Sequence, residues 1–124
     1  MEGTTQYWKV SLAPAGIVIT VHGHDKERAA HKAVAEFNSL ARDYVGPFTI
    51  VGDVREMTGY ETDSRQAWQQ AFRNHRTRIR EFVLIGARSP LIRMGAAAVG
   101  VFAAIRVRFV SSWDEIDGAI PKDR

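Results

Sequence analysis

The side chains with the means to do chemistry gather at a few points along this chain of 124 residues. His22, His24 and Asp25 end one apolar stretch, and Asp53, Arg55 and Glu56 end another. Asp63-Ser64 and Arg88-Ser89 each stand just before a helical pattern, with Arg93 close behind the second. His24 and Asp53 would form a general acid–base pair if folding brought them within hydrogen-bond reach. His22 and His24 share a face of a strand. Neither they nor His31 is joined by a further ligand pair at a recognisable spacing, so no metal site is read here. Cysteine is absent, which removes disulfides, thiolate nucleophiles and cysteine-held zinc or iron–sulfur centres. No serine nucleophile elbow, P-loop or dinucleotide fingerprint is present, and Gly95 and Gly100 fit no phosphate-binding spacing. No cofactor is implied.

Charge is unevenly placed. Up to Ser64 there are six basic and nine acidic side chains, a net of −3; beyond it eleven basic and five acidic, a net of +6. An Arg-rich half favours an acidic partner or an anionic ligand, and is also what an ordinary solvated face looks like. Arg73, Arg76, Arg78 and Arg80 form the densest basic run. They lack the interleaved aromatics or reading motif of nucleic-acid recognition, so nucleic acid is not an expected partner. The first residues are polar and show no secretory signal. The longest apolar stretch, Met94 to Ile105, is shorter than the about 20 residues a membrane span takes. A cytoplasmic chain is the expectation.

The elements that must position these residues follow from periodicity. Trp8, Val10 and Leu12 alternate with Lys9 and Ser11, a half-buried strand; after the turn residues Ala13-Pro14-Ala15-Gly16, Ile17 to Val21 makes a second, antiparallel to it. Asp25 caps an amphipathic helix with Ala30, Ala33, Val34, Phe37, Leu40, Ala41 and Tyr44 on its apolar side, and Gly46-Pro47 stops it. Phe48 to Val54 reads as a buried strand, Arg55 to Asp63 as a polar loop, and a second helix begins near Asp63-Ser64 with Ala67, Trp68, Ala71, Phe72, His75 and Ile79 on one face. Phe82 to Ile85 is another apolar strand. Ser89-Pro90 starts a third helix, apolar almost all round to Ala103. Val107 and Phe109 alternate with Arg106 and Arg108 in a last strand, and Ser112 caps a short final helix with Trp113, Ile116 and Ile120, ended by Pro121. The order is β-β-α-β-α-β-α-β-α: an α/β fold with a mostly parallel, mixed five-stranded sheet. Continuous apolar strands between helices imply a sheet covered on both faces.

Two sites follow. In open parallel sheets ligands bind beyond the carboxyl ends of the strands. That edge would carry His24, Asp53, Arg55, Asp63, Arg88, Ser89 and Arg93, with two helix N-termini suited to an anion. The same residue types serve equally as plain caps. The third helix offers the other site. In a small domain one of its faces should be exposed, so Leu91, Met94, Ala98, Val101 and Phe102 make either a homodimer contact, a nonpolar pocket, or deep packing under the last strand.

The element order resembles that of STAS domains, the fold of bacterial anti-sigma-factor antagonists, and in particular their SpoIIAA-like branch of small stand-alone proteins. The stretches that carry the likeness are Ile50-Val51-Gly52-Asp53-Val54-Arg55, Ala87-Arg88-Ser89-Pro90-Leu91-Ile92-Arg93, and Val107-Arg108-Phe109 followed by Ser111-Ser112-Trp113-Asp114-Glu115-Ile116; it covers residues 6–120 as one domain. The resemblance implies a non-enzymatic module that acts on a protein partner, such as an anti-sigma-type regulator, or carries a small nonpolar ligand. In phospho-switched relatives the modified Ser or Thr follows an Asp where the second helix begins, which is the place of Asp63-Ser64. The relatives have small residues and glycine next; here Arg65-Gln66-Ala67-Trp68 follow. The leading expectation is an interaction or regulatory module, in which Ser64 is either a phosphorylation switch or a plain N-cap. The alternatives are a carrier of a nonpolar or anionic ligand and, behind it, an enzyme using His24 and Asp53.

Overall fold

A computed structural model describes residues 8–14, 16–25 and 27–116. Its elements run β1 (Trp8–Ala13), β2 (Gly16–Asp25), α1 (Glu27–Asp43), β3 (Phe48–Tyr60), α2 (Thr62–Asn74), β4 (Ile79–Ile85), α3 (Pro90–Ala103) and β5 (Val107–Val110), with 3-10 turns at Arg76–Arg78 and Trp113–Glu115. The strands form one sheet in the order β1-β2-β3-β4-β5. β1 pairs antiparallel with β2, and every later pair is parallel. The mixed five-stranded α/β sheet expected from the sequence is present. The side chain of Asp25, and the Ile120–Pro121 part of the expected final helix, lie outside the described residues; within them, Trp113–Glu115 is a single 3-10 turn closed by a Ser112–Glu115 capping box.

One difference in layering decides where a ligand can go. Each parallel crossover steps to the next strand in the same direction. Under the right-handed rule for such crossovers, that places every helix on the same face. The buried sides of α1 (Ala30, Ala33, Phe37, Ala41), α2 (Trp68, Ala71, Phe72) and α3 (Ile92, Ala96, Val99, Ala103) accordingly join one core with Ile17, Ile19, Ile50, Phe82 and Leu84. The opposite face, Val18, Val51, Val83, Ile85 and Val110, is packed by Trp113 and Ile116. Among the described residues the helices therefore cover one face and the chain after β5 covers the other. A sheet wound in one direction also has no reversal of strand order, and so lacks the switch-point crevice that the strand-end rule depends on.

The second difference is the length of β3. Beyond Val54 it continues as far as Tyr60, paired only with β2, in the register His22 to Glu56 and Asp25 to Tyr60. The polar run expected to be a loop is this one-sided extension. With β4 ended at Ile85, Arg55, Glu56 and Thr58 stay in solvent, while Met57 and Tyr60 turn toward the helix-side core. Tyr60 Oη donates to the Leu91 carbonyl (3.1 Å), which ties the end of β3 to the first turn of α3. α2 starts two residues later, with Glu61 at its N-cap.

Candidate functional site

Four of the strand-end residues, Asp53, Arg55, Ser89 and Arg93, make contacts within the fold. Asp53 is 8% exposed and on the face away from the helices. Arg55 grips it with two parallel hydrogen bonds, Nε to Oδ1 at 2.9 Å and Nη2 to Oδ2 at 2.7 Å, and Trp113 donates a third. Burial alone would raise the Asp53 pKa; the hydrogen bonds from Arg55 and Trp113 outweigh it and hold the carboxyl below its ordinary value. The stem of Arg55 lies on Gly86, whose φ of +73° and contact with Arg55 Cγ, 2.3 Å from where a Cβ would be, leave room for no side chain. Asp53 thus fastens the strand end to the chain after β5.

Ser89 caps α3 by accepting from the Leu91 N–H (3.2 Å). Arg93 donates to the Ala87 carbonyl (2.7 Å) and lies over the Phe109 ring (4.9 Å). Arg88 and Asp63 are exposed. His24 is exposed and pairs with Gly59, while Asp53 pairs with Thr20, four residues back along β2. At about 3.3 Å per residue the His24–Asp53 pair stands far outside proton-transfer reach. No group of three or more His, Asp or Glu among the described residues is placed to hold a metal.

Ser64 falls in the first turn of α2, two residues past its first helical residue rather than at the N-cap, and is 0% exposed. A kinase would have to open that turn to reach it. On α3 the residues proposed for nonpolar contact point outward. Met94 is 67% and Val101 84% exposed, Leu91 and Phe102 are exposed beside them, and Ala98 is half-buried. None of them lines the cavity beneath α3; they form an apolar stripe on the outer surface, with Arg73 over the Phe102 ring at 5.2 Å. The basic run is likewise divided: Arg78 donates to the carbonyls of Ala41 and Tyr44 at the C-terminal end of α1, whereas Arg76 and Arg80 are exposed.

The pocket lies under the other side of α3. Between the sheet and helices α2 and α3 is a cavity of about 80 Å³, several times the roughly 10–15 Å³ that holds one water. Its floor is Ile19 and Val21 of β2, Gly52 and Val54 of β3, and Phe82 and Leu84 of β4. Its roof is Trp68 and Phe72 of α2 and Ile92, Gly95, Ala96 and Val99 of α3. Trp8, Met57, Tyr60 and Arg65 complete it; being half-buried where every other lining residue is buried, they mark the mouth. Gly95 keeps the roof open: a Cβ there would come within 2.7 Å of the Tyr60 ring. The α3 residues that line the cavity differ from the outer ones named from the sequence, because a helix apolar all round gives no phase to its periodicity. Gly95, and the bulky Arg65 and Trp68 just after Ser64, were the available signals.

No family model matches the sequence and no curated protein matches it. Solved structures do. A protein of the DUF3478 family from Shewanella loihica, described as having a SpoIIAA-like fold, superposes with a TM-score of 0.66 at 11% identity, covering 87% of each chain. The anti-sigma factor antagonist SpoIIAA in its unphosphorylated form gives 0.65 at 14% identity, covering 87% of this chain and 92% of that one. The fold is SpoIIAA-like. The STAS-type architecture expected from the element order is therefore present, and at these identities the likeness speaks for architecture alone. Among the described residues, no helix of this SpoIIAA-like domain is long and apolar enough to cross a membrane.

Proposed function

We propose that this SpoIIAA-like domain is a non-enzymatic module that binds a small nonpolar molecule between its sheet and helices α2 and α3. The observation that carries this reading is the cavity, walled almost wholly by aliphatic and aromatic side chains. Apolar cavities of this kind stay dry and take up apolar ligands, because nothing in their walls repays a water for its lost hydrogen bonds. Tyr60 and α3 serve as the cover. Titration with 1-octanol, followed by tryptophan fluorescence, tests it: Trp68 lines the cavity and Trp8 stacks on it with ring centroids 4.8 Å apart. A saturable change is expected, together with a raised unfolding midpoint. Ala96→Phe, which fills the space, should abolish both. No saturable response in the unmodified protein would contradict the reading.

A second reading is regulatory, a domain that docks on a protein partner, and the exposed apolar stripe of α3 favours it. Uncovered, contiguous apolar surface is uncommon in the absence of a partner. Met94→Glu with Val101→Glu would then abolish association with that partner, or with a second copy of the chain in light scattering, while leaving octanol binding intact. A switch at Ser64 has less support, because its side chain is sealed in the first turn of α2. Ser64→Ala is expected to leave partner binding unchanged; a phosphate-dependent loss of binding in the parent that this variant prevents would restore the switch.

A further inference from the structure

The outward side of α3 repeats at the spacing of a helix–helix seam. Leu91, Met94, Ala98 and Val101 follow one another at three-, four- and three-residue steps, which sets them in one row along the helix. Phe102 widens the row at its C-terminal end. At a rise of ~1.5 Å per residue the row is about 16 Å long. All but the half-buried Ala98 are exposed. Two arginines bracket it. Toward α2, Arg73 Nη1 donates to the Phe102 carbonyl (3.3 Å) and the guanidinium lies over the Phe102 ring. Toward β5, Arg93 Nε donates to the Ala87 carbonyl and the guanidinium lies over the Phe109 ring. Arg93 and Phe102 are nine residues apart, about two and a half turns, so they stand on opposite flanks of the helix. Both arginines are exposed, and neither is paired with a carboxylate among the described residues.

The surface is therefore an apolar row with a cation on either flank. From Arg65 to Arg108 the chain holds nine arginines and one acid, Glu81, whose carboxylate is taken by Arg108 at 3.0 Å. Unneutralised cations beside an apolar contact favour an anionic partner and oppose a cationic one. A second copy of the chain fits poorly, because α3 has no acid to offer the arginines of its mate. A helix with an apolar row of its own and carboxylates on both flanks fits the row and the charge together, as in the docking of an amphipathic helix on an apolar surface. We propose that the outer face of α3 docks an acidic amphipathic helix of another protein. Its apolar row lies along Leu91, Met94, Val101 and Phe102, and its flanking carboxylates reach Arg73 and Arg93. This rests on the docking reading of the stripe above and names the chemistry of the partner.

Two dye-labelled, helix-stapled peptides test it, each about three heptads long with the same leucine row, one flanked by Glu and the other by Lys. Each is titrated against the full chain by fluorescence anisotropy. The Glu-flanked peptide is expected to bind at least about tenfold more tightly at low salt, and the gap should narrow as salt rises. Met94→Glu with Val101→Glu should abolish its binding. Arg73→Gln with Arg93→Gln should bring the two peptides to the same affinity. Arg73→Gln alone should remove part of the preference, and it carries the test if circular dichroism shows the double variant unfolded. Equal binding of both peptides, abolished by the glutamates on the stripe and unaltered by the arginine changes, would overturn the acidic preference and leave docking on the stripe standing. Failure of both peptides, with stripe-dependent self-association in light scattering or stripe-dependent binding to phosphatidylserine vesicles, would overturn the helix partner and assign the face to a second copy or to a membrane. Failure of peptides, self-association and vesicles together would overturn the docking reading as well.

Discussion

At the scale of single residues, four of the polar groups that the sequence offered as a site, Asp53, Arg55, Ser89 and Arg93, hold the fold together. Asp53 is buried and held from two sides, so Asp53→Ala should cost about 1–3 kcal/mol by stranding the Trp113 donor. Arg55 has a side chain 45% exposed, and solvent screening discounts its share, so Arg55→Met should cost at most about 1 kcal/mol. Urea midpoints measure both. The Asp53 pKa is lowered in the folded state, so its stabilisation is present above about pH 4 and is lost as pH falls through the folded value. His75 behaves in the complementary way. Burial, then the charges of Arg78 and Arg42, push its pKa below the ordinary 6.5, and its ring faces Phe37 and Asn38 Oδ1 on α1. The folded state prefers the neutral ring, so stability is full above about pH 6.5 and declines as pH drops below it. His75→Gln should flatten that decline, as read from unfolding midpoints across the window.

At the scale of elements, α3 carries two different faces that the sequence could not separate. Leu91, Met94, Val101 and Phe102 face out; Ile92, Gly95, Ala96 and Val99 face the cavity. Single polar replacements on the outer stripe, such as Val101→Lys, should leave stability within about 0.5 kcal/mol. Gly95→Ala should cost about 1–3 kcal/mol, since its methyl meets Tyr60 and forces the Tyr60–Leu91 hydrogen bond apart; thermal unfolding reads the loss. The strands with continuous apolar runs, Phe48 to Val54 and Phe82 to Ile85, were legible because burial on both faces needs no alternation. The extension of β3 was not, because a strand paired on one side keeps polar residues such as Glu56 and Thr58 in water and looks like a loop. The third helix's start was read correctly from Ser89-Pro90, whose cap is present. The second helix's start was placed a residue or two late because Ser64 resembles a cap while Glu61 holds that position.

At the scale of the whole molecule, topology moved the candidate site. The element order was legible from the alternation of strand and helix patterns, and it gave the SpoIIAA-like architecture. It did not show that a sheet wound one way has no reversal of strand order to mark a site. Free space lies instead where the helix layer meets the sheet, under a roof interrupted by Gly95 and beside the bulky Arg65 and Trp68. Arg65 belongs to the Arg-rich half of the chain, so part of the charge asymmetry seen in the sequence sits at the mouth of an apolar space. The central claim is that this space is dry and able to take a ligand. Crystals of the protein pressurised with xenon test it most directly, since xenon enters empty apolar cavities. The account predicts xenon density bounded by Gly52, Leu84, Trp68 and Ala96. Ordered water in that position, or side chains collapsed to close it, would contradict the account.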